Sequence, residues 1–244
     1  DILTAMSLAG NPGGLVLMVC DDPGGISSTN EVDTRNYPRF ADVPLLEPST
    51  FQEAKDMVRW AFSLSEELEL LCMVRSVTRI SHARGVVELG TIEKIERTPV
   101  MKPEQRYGSL PPCPNHAQVK DKLRRAREIF ETSPFNRYAG PEEPELLVVT
   151  CGTGWWYSTE AIQMLGVADR VGVLKLGTTW PLPERLIKKH LEKASSVLVI
   201  EESDPVLEYN LRALLYNEGL QAVAPSRVLG KVTGTVQGVS GPGV

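Results

Sequence analysis

The sequence has few cysteines and no pair of them is spaced for a metal. The four are Cys20, Cys72, Cys113 and Cys151, with no CxxC among them. That excludes a zinc ribbon and any locally ligated cluster. Long apolar runs are also missing. Runs such as Leu70–Val74 and Leu146–Val149 fall far short of a bilayer span. No charged stretch leading into an apolar run marks a secretory leader. There is no basic excess, since the formal net charge is -5. The densest cationic group, Lys120, Lys122, Arg124, Arg125 and Arg127, is diluted by Asp121, Glu128 and Glu131 on what reads as a solvated helix face. Nucleic-acid binding needs many phosphate contacts and is not expected. Neither a Walker loop nor a Ser-His-Asp signature is present. The initiator methionine is missing too: the chain opens Asp1-Ile2-Leu3 and reads as a fragment or a chain with missing ends.

What is there points to a globular α/β protein. Hydrophobic residues make up 42% of the 244 positions. Cys20, Cys72 and Cys151 sit in or at the end of apolar runs and read as small buried thiols. That usage, with no leader and no membrane span, predicts a reducing cytoplasmic setting.

Gly13–Cys20 reads as a strand buried on both faces, running into the turn Asp21-Asp22-Pro23-Gly24-Gly25. Ser49 with Gln52 reads as a capping box opening a helix that carries Phe51, Ala54, Met57, Val58, Ala61, Phe62 and Leu68. Leu70–Val77 is the next predicted strand and Val86–Ile95 a further one. From about Glu96 to Glu145, eight prolines interrupt the pattern. This stretch reads as a connection holding one helix, capped by Asn115 and burying Val119, Leu123, Ala126 and Phe130.

Strands at Leu146–Thr150, Val171–Leu176 and Ser196–Ile200 then alternate with helices at Trp155–Leu165, Leu182–Lys193 and Val206–Glu218. That alternation predicts a doubly wound parallel sheet. A last strand is expected near Gln221–Ala224, and the tail Gly238–Gly243 reads as mobile. The expected division is residues 1–95, a connection over 96–145, and a second domain over 146–244.

Ligands in open α/β sheets bind beyond the carboxyl ends of strands. Four places qualify. The loop from Asp21 to Arg35 gathers Asp22, Ser27, Ser28, Asn30, Glu31, Asp33 and Arg35. Its competing reading is a solvated loop closed by Asx turns. The aspartate pair has no identifiable third ligand, so no metal is assigned there. Arg75–His82 offers Arg79 for an anion and His82 as a proton carrier, against a surface ion pair and a structural hydrogen bond. Cys151-Gly152-Thr153-Gly154 lacks the third glycine of a dinucleotide fingerprint, because Tyr157 stands there, and reads as a tight turn. Glu201-Glu202-Ser203-Asp204-Pro205 reads as a helix start with Asp204 or Ser203 as cap. His116 and His190 read as isolated and exposed.

These segments resemble, in order, the alpha subunits of indolepyruvate:ferredoxin oxidoreductases, a thiamine-diphosphate-dependent 2-oxoacid:ferredoxin oxidoreductase family. Gly13-Gly14-Leu15-Val16, Asp21-Asp22-Pro23-Gly24 and Ser27 through Arg35 are similar to a family signature, with Thr29 and Val32 in place of two glutamines. Pro44–Ser49, Gln52–Asp56, Ala61–Glu66 and Thr78–His82 continue the likeness. So do Leu174–Gly177, Pro181–Glu184, Val199–Pro205 and Gly230-Lys231. The departure comes late, where Val239-Ser240-Gly241 replaces the family's usual continuation.

The resemblance implies the back half of a thiamine-diphosphate pyrimidine-binding domain, followed by a domain similar to the transketolase C-terminal domain. It implies oxidative decarboxylation of an arylpyruvate to an acyl-CoA, with ferredoxin as electron acceptor and a beta subunit as partner in an oligomer. It implies thiamine diphosphate with Mg, and 4Fe-4S clusters, held mainly by parts outside this chain. The activating glutamate would lie upstream and the metal motif and cluster cysteines downstream, so the segment is expected to be inactive alone. Asp22, Ser27, Ser28, Asn30, Glu31, Asp33, Arg35, Arg79 and His82 become cleft-lining residues, with Arg35 or Arg79 holding the substrate carboxylate. Two alternatives are a non-catalytic scaffold subunit and a sister enzyme acting on another 2-oxoacid.

Overall fold

The structure, a computed structural model, describes residues 2–92, 94, 108, 111–217 and 228–236. Helix α1 (Ile2–Ala9) precedes strand β1 (Val16–Asp21), a short α2 (Asn36–Ala41) and β2 (Leu45–Leu46). Then come α3 (Phe51–Leu68), β3 (Cys72–Val77), the single turn α4 (Thr78–Ser81) and α5 (Pro112–Phe130). The second half runs β4 (Arg137–Ala139), β5 (Leu146–Cys151), α6 (Gly154–Leu165), β6 (Val171–Leu176) and β7 (Thr178–Trp180). It ends α7 (Glu184–Leu191), β8 (Ser196–Ile200), α8 (Val206–Asn217) and β9 (Val228–Leu229).

Two sheets result, of order β1-β3-β2-β7 and β4-β6-β5-β8-β9. In the first, β1, β3 and β2 are parallel and β7 is antiparallel to β2. In the second, β6, β5, β8 and β9 are parallel and β4 is antiparallel on the edge. The expected parallel sheet thus carries an antiparallel rim, supplied by the end of the proline-rich connection.

Alternate residues divide the second sheet's faces, as the pleat requires. Leu147, Val149, Leu174, Val197 and Val199 pack with Ile187 and Leu191 of α7 and Leu207 and Leu211 of α8. Val148 and Val173 pack with Trp155 of α6. That is a doubly wound arrangement.

Only Gly177 separates β6 from β7, so the chain leaves one sheet and enters the other within one residue. A Cβ at Gly177 would lie 2.6 Å from the Phe135 carbonyl oxygen and 2.7 Å from Met57 Cε. Glycine is needed there for the crossing to fit. The sheets are also tied by side chains. Lys175 Nζ on β6 donates to Glu53 Oε1 of α3, and Trp156 Nε1 donates to the Ser49 carbonyl oxygen at 2.5 Å.

Several local expectations shift. Thr50, not Ser49, caps α3: its Oγ1 accepts from Glu53 N at 3.0 Å, while Glu53 Oε2 accepts from Ser49 N at 2.8 Å. The reciprocal partner is therefore Glu53 rather than Gln52. The buried face of α3 is Met57, Ala61, Leu64, Ser65 and Leu68, and Phe62 is exposed. β1 is an edge strand with Met18 and Cys20 exposed, not a strand buried on both faces, so only Cys72 and Cys151 are buried thiols. Helix α5 starts at Pro112, with Asn115 inside its first turn, because proline's missing N–H is harmless there. Val86–Thr91 forms no strand, and Ile95 lies outside the described residues. The predicted strand at Gln221–Ala224 and the tail Gly238–Gly243 also lie outside them. His190 is half-buried, stacked on Tyr138 with ring centroids 4.3 Å apart.

Candidate functional site

β1, β3 and β5 all end at one crevice, where the loop after β1 meets the segment after β8. Asp21 closes β1 and Arg75 lies within β3, so each is fixed by a parallel ladder. Arg75 Nε donates to Asp21 Oδ2, and Arg75 Nη1 to Glu47 Oε2 at 2.7 Å. Thr34 binds the same Asp21 oxygen through its N–H at 2.8 Å and its hydroxyl at 3.0 Å. Glu47 also accepts from Thr179 Oγ1 of β7 at 2.7 Å.

Arg35 joins this network to the second sheet. Its Nε donates to Asp33 Oδ1 at 2.9 Å and its Nη1 to Glu201 Oε2 at 2.6 Å. Its Nη2 donates to Asp33 Oδ2 at 2.5 Å and to the carbonyl oxygens of Glu202 and Asp204 at 2.6 and 2.7 Å. All three guanidinium nitrogens are therefore engaged within the chain, and only 4% of the residue is exposed. Burial opposes Arg35's charge, but Asp33, Glu47 and Glu201 outweigh it and hold the guanidinium firmly protonated.

Glu201 accepts from Leu207 N at 2.8 Å and Glu208 N at 2.9 Å, so it satisfies the start of α8. The expected caps, Ser203 and Asp204, give way to it because Glu201 points from the strand end into the helix N-terminus. Its burial raises its pKa against the pull of Arg35 and those two N–H groups. Burial would raise Asp33 as well, but the Arg35 hydrogen bonds prevail and hold it below the usual aspartate value.

The loop between these anchors closes on Asp22. Its carboxylate accepts from Thr78 Oγ1 at 2.6 Å and from the N–H groups of Ile26, Ser27 and Ser28 at 3.1, 2.8 and 2.7 Å. The Thr78 bond leads in holding its pKa well below the ordinary range, followed among the lowering causes by the backbone bonds. The Asx-type closure weighed from sequence is therefore present, and it displays Ser27, Ser28, Asn30 and Glu31 on the exposed side. Glu31 Oε1 accepts from Gly24 N at 3.0 Å and from Ser203 Oγ at 3.2 Å, binding the loop across the crevice.

Arg79 stands at the crevice mouth, 31% exposed, donating to Glu202 Oε1 at 2.7 Å. His82 is exposed at the end of α4. Lys231 Nζ reaches the Ser203 carbonyl oxygen from the other side. Gly152 has φ +53°, as the tight-turn reading of Cys151–Gly154 requires.

Sequence reasoning missed Arg75, Glu47, Glu201 and Thr34 as partners. A signal existed for Arg75. It is a charged residue inside a strand whose six positions are all buried, and buried charges are paired.

Segments joined by contacts that span up to 172 residues, from Asp21–Arg35 to Glu201–Asp204, thus share one crevice. The chain is similar to indolepyruvate oxidoreductase subunit IorA of Pyrococcus abyssi, 40% identical over 228 residues, covering 90% of this chain. This chain matches part of an indolepyruvate oxidoreductase subunit. The same subunit of Methanothermobacter marburgensis is 37% identical over 244 residues, covering 97% of the chain. The chain spans about a third of the length of these relatives, 35% and 38% respectively. Among solved structures, a 2-oxoglutarate:ferredoxin oxidoreductase from Magnetococcus marinus, with 2-oxoglutarate, coenzyme A and succinyl-CoA bound, superposes with a TM-score of 0.61. At 15% identity, over 87% of this chain and 46% of that one, it shares the fold. No protein-family model matches the chain.

Proposed function

We propose that this chain is one segment of a 2-oxoacid:ferredoxin oxidoreductase subunit of the indolepyruvate type. The observation that carries the reading is a convergence. The segments that resemble the family signature, from Asp21-Asp22-Pro23-Gly24 through Arg35, Thr78-Arg79, Glu201–Pro205 and Gly230-Lys231, meet at one crevice beyond the strand ends. The likeness to the IorA subunits supports it along the chain's length. The reaction is oxidative decarboxylation of an arylpyruvate to an acyl-CoA, with electrons passing to ferredoxin and a beta subunit completing the enzyme.

The cofactors of that reaction do not fit this segment alone. Among the described residues no three His, Cys, Asp or Glu side chains converge as metal ligands. Cys72 and Cys151 lie buried in different sheets, with thiol pKa values pushed up by burial, while Cys20 and Cys113 are exposed. In this reading thiamine diphosphate with its Mg, and 4Fe-4S clusters, are held mainly by other parts of the enzyme. This segment supplies a wall of the cleft. Asp22 shapes the loop, and Ser27, Ser28, Asn30 and Glu31 present its polar surface.

Of the two arginines proposed for the substrate carboxylate, Arg79 is the better placed. Arg35 is spent on Asp33, Glu201 and two carbonyl oxygens, whereas Arg79 lies at the mouth with one acidic partner. His82, exposed close by, is the proton carrier to test alongside it.

The deciding experiment uses the full-length polypeptide containing this chain, purified with its partner subunit. Reduction of ferredoxin is followed with CoA and either indolepyruvate or branched-chain 2-oxoacids. Turnover on indolepyruvate is expected. Turnover only on branched-chain oxoacids identifies a sister enzyme, and none on any 2-oxoacid leaves the scaffold reading.

A further inference from the structure

Deep in the crevice, where β3 and β5 end, lies a cavity of about 10 Å³ walled by Arg35, Glu47, Arg75, Cys151, Thr153 and Glu202. Two of its lining residues carry a buried polar atom with no hydrogen-bond partner within the chain, Arg75 Nη2 and Thr153 Oγ1. Both residues are more than nine-tenths buried, at 4% and 6% exposure. Arg75 Nη2 lies 3.7 Å from Asp33 Oδ1, beyond hydrogen-bond range. A buried guanidinium N–H without an acceptor is costly, and a void lined by the same residue offers room for one.

Size and charge decide what that acceptor is. The volume is about that needed for one water molecule and too small for a carboxylate or phosphate. Four carboxylates, on Asp21, Asp33, Glu47 and Glu201, stand around the two guanidinium groups of Arg35 and Arg75, and the Glu202 carboxylate pairs with Arg79. An anion would meet net negative charge. Water meets none of these objections: it accepts from Arg75, bonds the Thr153 hydroxyl, and retains a proton for a wall carboxylate.

We propose that the cavity is a built-in site for a single internal water joining Arg75 Nη2 to Thr153 Oγ1. That water ties the carboxyl half of β3 to the residue that starts α6, so it fastens the two sheets at the base of the crevice. It also fixes the Arg75 side chain that holds Asp21 and Glu47. The inference does not depend on the proposed reaction.

Two experiments test it on the full-length polypeptide containing this chain. A crystal structure that resolves ordered solvent is expected to show one peak within about 2.7–3.2 Å of both atoms. An empty cavity, or an anomalous peak there after a bromide soak, overturns the proposal. The second is thermal melting of Thr153→Val and Thr153→Ser. With water present, Thr153→Val discards a hydrogen bond and melts about 2–4 °C below the wild type, while Thr153→Ser retains it. Without water, Thr153→Val removes a buried orphan hydroxyl and melts at or above the wild type, which also overturns the proposal.

Discussion

Arg35 Nη1 and Glu201 Oε2 meet at 2.6 Å across 166 residues of sequence, joining the loop after β1 to the end of β8. Both side chains are almost wholly buried. Removing one partner of such a pair leaves an uncompensated charge. Arg35→Ala is expected to destabilise the chain by about 3–5 kcal/mol. In a double-mutant cycle with Glu201→Gln, urea unfolding should return a coupling of about 0.5–3 kcal/mol. A coupling near zero would place the two side chains apart.

Asp33 gives the network a pH signature. Its folded pKa is depressed, so its stabilisation is fully present above the ordinary aspartate value of about 3.9 and is lost as pH falls through the folded value. Glu201 works oppositely, since its raised pKa favours the protonated form, and its contribution fades as pH rises through the folded value. The melting difference between wild type and Asp33→Asn should therefore be large at neutral pH and shrink below about pH 4. A difference constant across that range contradicts the assignment.

Arg79→Ala separates binding from stability. Its partly exposed pair with Glu202 contributes only about 0–1 kcal/mol to folding. In the complete enzyme the same change should raise KM for the 2-oxoacid strongly while the melting temperature barely moves. Unchanged kinetics remove Arg79 from the substrate site.

Thr50→Ala tests the start of α3. Losing the Thr50 Oγ1 bond to Glu53 N should cost about 1 kcal/mol, read as a lower urea midpoint with an unchanged slope. Gln52→Ala, which removes an i,i+4 contact with Asp56 and an exposed bond from Glu88 N, should cost less, about 0.2–0.5 kcal/mol for the helix contact. Equal losses would return the cap to the position expected from sequence.

Chain order and residue type alone determined the α/β class, the buried face of α5 and the turn after β1, while of the face read for α3 only Met57, Ala61 and Leu68 are fully buried. Those features repeat at 2.0 or 3.6 residues, or rest on turn chemistry, and both are local. Tertiary structure decided which arginine is buried in ion pairs and which stays partly exposed. Arg35 and Arg79 look alike in sequence, and only the arrival of Asp33, Glu201 and two carbonyl oxygens from distant segments commits the first. It also decided that β1 is an edge and that β7 crosses between sheets after Gly177. The physical reason is the same in each case: burial and ion pairing depend on what is packed alongside, and a neighbour 166 positions away leaves no periodic mark.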